Sequence, residues 1–133
     1  MADEKIRKAL EDHLAALDPA FPTVWQNRPT PAGFDSARPH QKAFLLRAPN
    51  ASQGLRERTT LHSGTFQINL CYPSGKGVAE IEARGVALQE HFRGQVLTLD
   101  GVKVQIRGKP SIADPVSISP YVVPVSIRYQ SIN

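Results

Sequence analysis

Few residues in this chain are of a type and spacing that could do chemistry. Four histidines, His13, His40, His62 and His91, one cysteine, Cys71, and twelve carboxylates could ligate a metal or move a proton. No histidine has another His, Cys or carboxylate at the four-residue spacing of a helical metal pair. A single thiol can form no internal disulfide and supplies too few thiolates for a zinc site. Nucleophilic catalysis needs a Ser or Cys held against a base. Ser63-Gly64 and Ser74-Gly75 lack the G-x-S-x-G elbow, and Cys71 falls mid-strand on a polar phase. Gly75-Lys76-Gly77 opens a helix but lacks the G-x-x-x-x-G-K-[ST] spacing of a phosphate loop. The carboxylates Glu80, Glu82 and Glu90 belong to a solvated helix side. No catalytic, cofactor or metal site is expected.

Charge points to contact instead. Sixteen Lys and Arg against twelve Asp and Glu give a net +4, spread along the chain rather than gathered in a block. Lys103, Arg107 and Lys109 share a polar strand phase, and Arg56 and Arg58 precede a long strand. A nucleic-acid-reading sheet would need aromatics among such cations to stack bases. Phe66, Tyr72 and Tyr129 follow the apolar phase instead and belong to a core. Arg56, Arg58, Lys103 and Arg107 are therefore candidates for electrostatic contact with a partner. Solvated surface charge is the plainer reading of the same residues.

The elements that must position them follow from periodicity. A chain of 133 residues is one domain, here taken as 1–133, with a core of ordinary size. Ile6, Leu10, Leu14 and Leu17 make one stripe of a helix ended by Asp18-Pro19, with Ala9 and His13 beside it. Thr23–Trp25 reads as a short strand. Residues 26–41 carry Pro29, Pro31 and Pro39 without periodicity, and a connection of that length is either functional, becoming ordered on binding, or a plain surface excursion. Ala43–Arg47 is a second strand. Phe66, Ile68, Leu70 and Tyr72 alternate with polar neighbours in a third. Val78, Ile81, Gly85, Leu88 and Phe92 form the buried stripe of a second helix closed at Gly94, with Gly85 marking a close approach to a sheet. Asp100-Gly101 predicts a two-residue hairpin pairing Leu99 with Val102 and Leu97 with Val104. Ser111–Ala113 is a weak extended piece. Tyr121–Tyr129 alternates, and Pro124 predicts that it lies at a sheet edge or carries a bulge. The fold class expected is α+β, a mainly antiparallel sheet with two helices packed on one face and the other face polar. No run of about 18 apolar residues is present. The charged, periodic start MADEKIRKALED is unlike a signal peptide, so a cytoplasmic protein is expected.

The helix IRKALEDHLAAL, the loop WQNRPTP, the strand AFLLR, and above all Gly-Thr-Phe-Gln-Ile-Asn leading to YPSGKGVAEIEARGVALQEHF come in a specific order. That order resembles the small phage tail-terminator-like family over nearly the whole chain. The resemblance implies a structural protein, not an enzyme, from a phage or prophage. Such a subunit docks on the end of the tail tube, stops its polymerisation and presents a surface to head-completion proteins. Related subunits work as a hexameric ring around the DNA channel. The partners implied are further copies of the chain, the tail tube protein and a head-completion protein, with DNA as passing cargo and no membrane. No cofactor is implied. The location would be the host cytoplasm during assembly and then the virion tail. On this view the sheet and its last strand face a neighbour or the tube, and loops 26–41 and 50–58 make axial contacts. Two readings compete. One is a small basic nucleic-acid-binding module, the other an enzyme with a pocket that a sequence cannot display.

Overall fold

Two long alternating segments pair to make the spine of the sheet. In the computed structural model, which describes residues 2–48, 51–53 and 59–132, β4 (Thr59–Tyr72) runs antiparallel to β9 (Tyr121–Ile132) from Leu61↔Ile132 to Tyr72↔Tyr121. The period of two then aligns Phe66 with Ile127, Ile68 with Val125 and Leu70 with Val123 on one face, all six buried. On the other side of β4, β2 (His40–Arg47) places Leu45 beside Phe66 and Ala43 beside Ile68. β1 (Thr23–Trp25) adds to β2 in parallel, so the sheet is mixed rather than purely antiparallel. The α+β class stands. β3 (Ala51–Gln53) continues along β4 beyond β2.

The hairpin β5 (Val96–Leu99) to β6 (Val102–Ile106) has the expected register, Leu99↔Val102 and Leu97↔Val104. Both turn residues are left-handed, Asp100 at φ 49° and Gly101 at φ 82°, as a type I′ turn requires. Sheet order is β1-β2-β4-β9-β6-β5, with β7 (Ser111–Ile112) and β8 (Ser117–Ile118) also paired to β9. This corrects the edge position expected for the last strand, because β9 lies between β4 and β6. Pro124 is tolerated because of where its backbone points. Its carbonyl accepts from the Ala113 amide at 2.9 Å, so its missing N–H faces the ragged β7–β8 side and no bond to β4 is lost.

Both helices cover the face carrying these apolar residues. α1 (Ala2–Leu17) lies over β5 and β6, and α2 (Ala79–Phe92) over β4 and β9. α1 buries Ile6, Ala9, Leu10 and Leu14, and α2 buries Ile81, Gly85, Leu88 and Phe92. Val78, expected in the second stripe, is instead the residue before the first turn and stays exposed. Gly94, at φ 68°, closes α2 as expected. At Gly85 the close neighbour is the Ile112 side chain from β7. Gly64, first residue of the Gly-Thr-Phe-Gln-Ile-Asn motif, is more tightly confined. A Cβ there would run into the Leu46 carbonyl oxygen and lie 2.9 Å from the Tyr129 hydroxyl.

Side-chain bonds hold the helices to this sheet. Gln26 Oε1 accepts from Arg7 Nη1 of α1 and from the Leu45 amide of β2, both at 2.8 Å. The ends of the helices meet through two histidines 78 residues apart. His13 and His91 stack with ring centroids 3.9 Å apart. Nε2 of His13 donates to the His91 carbonyl at 2.7 Å, and Nε2 of His91 donates to the His13 carbonyl at 2.6 Å. Burial pushes the His13 imidazole below its usual range. The His91 carbonyl bond opposes this, and the like charge of His91 adds to it.

Two outcomes are expected. Gly64→Ala should lose about 2–3 kcal/mol in urea unfolding, since backbone must shift. Gly85→Ala should stay within about 0.5 kcal/mol, because the end of Ile112 can swing aside and Ala favours the helix by a similar amount. His13 makes stability pH-dependent. A base with a depressed folded pKa contributes stability that is present above its unfolded value of 6.5 and is lost as pH falls through the lower folded value. The drop in unfolding free energy between about pH 7.5 and about pH 5.5 should shrink in His13→Gln.

Candidate functional site

The face of the sheet turned away from the helices has an unusual charge pattern. None of the described strands contains an Asp or Glu. The cations Lys42 on β2, Lys103 on β6 and Arg128 on β9 point to this side, because each neighbours a buried residue of the opposite phase. Arg107 follows the buried Ile106 and is bonded through its amide to the Arg128 carbonyl at 2.8 Å. Lys42, Lys103, Arg107 and Arg128 make no ion pair among the described residues. Two of the cations expected from the sequence, Lys103 and Arg107, thus share a face with two that sequence reasoning missed. The missed signal was that Lys42 and Arg128 sit on the polar phase of alternating strands. Arg56 and Arg58 lie outside the described residues.

Between these charges the face is polar and shallow. Gln67 Nε2 donates to Asn69 Oδ1 at 2.9 Å, and Gln130 Nε2 donates to Gln105 Oε1 at 3.2 Å. Phe44 is half-buried and Leu46 is 50% exposed near the β2 border. A depression of about 540 Å³ beside Arg107 and Arg128 is floored by Ser63, Gly64 and Thr65. Among the described residues it gathers no carboxylate, histidine or thiol. Cys71 is buried on the same phase, and burial raises its thiol above the usual range against the pull of Lys42. Such a thiol is a poor nucleophile at neutral pH.

The remaining reactive types are occupied structurally. A wider recess of about 710 Å³ between the end of α1 and the proline-rich segment is lined by Pro19, Phe21, Trp25 and Phe34. Its Asp35 and Arg38 pair with each other at 3.6 Å. His40 opens β2 and donates from Nδ1 to the Arg38 carbonyl at 2.8 Å. Among the described residues no three His, Cys, Asp or Glu side chains are grouped to hold a metal, and no helix is long and apolar enough to cross a membrane. Arg84 of α2 was also missed as a structural residue. It donates to Gln41 Oε1 at 3.1 Å and lies 4.1 Å over the Phe21 ring, with burial lowering its pKa. Its place beside Gly85 on the stripe was the available clue.

Comparison with known proteins bears on this arrangement. A family model described as phage tail terminator protein matches residues 5–129. Among curated proteins nothing matches. Among the similar solved structures, one has a TM-score of 0.78 and 28% identity, with 98% of this chain and 96% of that one covered.

If the open face is kept for contact, its residues should matter little to folding. Gln67→Ala is expected within about 0.5 kcal/mol of the wild type, while Ile68→Ala on the opposite phase should cost about 2–5 kcal/mol by the same denaturation measurement.

Proposed function

The chain belongs to the phage tail terminator family, a family of structural tail proteins, and from that premise we propose that it caps the tail tube as a ring. The ring would halt tube polymerisation and offer its far side to head-completion proteins. Assembly would take place in the host cytoplasm before the protein becomes part of the virion tail. The observation that carries this reading is the open sheet face, polar, with no carboxylate on any described strand and with cations that make no ion pair among the described residues. Such a surface costs little to expose in a monomer and suits a partner of opposite charge. Lys103 and Arg107 are the proposed electrostatic contacts, and Arg56 and Arg58 belong to the same proposal. The residues between β1 and β2 are proposed to touch the neighbouring axial layer. Their turns are held locally, as where Asp35 Oδ1 accepts the Ala37 amide at 2.9 Å. Nothing in the reading requires catalysis, a metal or a cofactor.

The same four cations would also suit a phosphate backbone, which favours a nucleic-acid-binding module as the second reading. That module would shift duplex DNA in a gel with an affinity falling steeply with salt.

Light scattering behind a sizing column, across a wide concentration range, tests the first reading. A closed particle of about six subunits that forms without DNA is expected. A monomer at every concentration that also fails to bind the tail tube protein would overturn it. Removing residues 30–38 should leave the ring intact and lower the yield of tails of correct length. Unchanged tails would sink the axial role of that segment.

A further inference from the structure

The ring reading leaves open which two surfaces of one subunit meet in the next. Head-to-tail contact needs two different, complementary patches, and the charge distribution of this chain marks both. One is the open sheet face already described. Its counterpart must be acidic, and the helices hold seven of the twelve carboxylates, but the two helices differ.

On α1, acids and bases are interleaved and locally matched. Lys8 pairs with Asp12 at 3.2 Å, and Glu11 with Arg28 at 3.4 Å. On α2, Glu82, Val86 and Glu90 follow one another at four-residue spacing and are exposed on the side opposite the buried Ile81, Gly85 and Leu88. Neither Glu82 nor Glu90 makes an ion pair among the described residues. Helix stability does not account for the stripe. Glu82 in the first turn suits the helix dipole, but Glu90 stands close to the C-terminal end, where a negative charge is disfavoured. Val86, 51% exposed between the two acids, adds an apolar centre.

We propose that the outer side of α2 of one copy docks on the open sheet face of the next, with Glu82 and Glu90 opposite Lys42 and Arg128. The dimensions agree. Eight helical residues separate the two acids by about 12 Å. Lys42 and Arg128 lie four residues apart along the strands and two strands apart across them, about 16 Å between Cα atoms, a difference that long side chains span. Midway between the cations runs the row Phe44–Gln67–Ser126, where Val86 would rest, with Leu46 at the Arg128 end. The apolar centre would supply adhesion and the flanking charges orientation and register. This pairing rests on the ring reading and specifies its contact.

Cysteine trapping tests it on the full chain. Val86→Cys and Gln67→Cys placed together should give, under mild oxidation, a ladder of covalent oligomers. Either substitution alone should stop at dimers, and the buried Cys71 should stay unreacted. In parallel, Glu82→Lys with Glu90→Lys should raise the concentration needed for assembly about tenfold at low salt, and adding Lys42→Glu with Arg128→Glu to the same chain should restore it. All four positions are exposed, so melting temperature serves as the check on folding. No ladder and no charge-swap rescue, with a wild-type ring still seen by light scattering, would overturn this pairing and leave the ring standing. No ladder together with a monomeric wild type at every concentration would overturn both.

Discussion

A slip of β9 by one residue against β4 would turn Val123, Val125 and Ile127 to solvent and carry Pro124, Ser126 and Arg128 under the helices. The register Ile68↔Val125 is therefore the constraint on which the rest depends. It places the apolar phase of both long strands on one side, where Phe92 and Leu88 of α2 and Leu10 and Leu14 of α1 close the core. It also turns the absent N–H of Pro124 towards the side where pairing is already broken into β7 and β8. Gly64 belongs to the same constraint. At the row Arg47–Gly64–Tyr129 the strands approach so closely that a side chain on the middle residue would meet backbone.

Apolar contact alone would let two helices slide on such a face. Their positions are fixed by a few half-buried polar groups, each costly to leave without a partner. Gln26 joins α1 to β2, Arg84 joins α2 to Gln41 and Phe21, and the stacked His13 and His91 close the two helix ends on one another. Gln41 is held in turn, donating to Thr23 Oγ1 at 3.0 Å. These bonds use two of the four histidines that a catalytic reading would have wanted. His13, His40 and His91 donate to carbonyls and the thiol is buried, so these groups serve the scaffold.

That scaffold leaves its two outer surfaces unequal. One side of the sheet carries cations with no carboxylate on any described strand, and the outer side of α2 carries carboxylates with no cation paired to them among the described residues. An isolated domain gains nothing from separating its charges this way. A subunit of an assembly does, because complementary surfaces speed encounter and reject wrong orientations. Family membership and surface electrostatics thus lead to the same kind of molecule, one whose function is to be a part.

Local pattern determined much of this protein by itself. Asp100-Gly101 fixed its hairpin and register, since few residue pairs accept two left-handed conformations. The spacing of Ile6, Leu10 and Leu14 fixed α1, and the alternation from Phe66 to Tyr72 fixed which face of β4 is buried. The phage tail motifs were legible in the order of segments. Tertiary structure decided what depends on residues distant in the chain. Pro124 predicted an edge because sequence shows that a donor is missing and not the direction in which it is missing. The meeting of His13 with His91, the clamp of Arg84, and the gathering of Lys42, Lys103, Arg107 and Arg128 on one side follow from strand order and helix placement. Those are settled by the packing of the whole core, and no local window of sequence contains them.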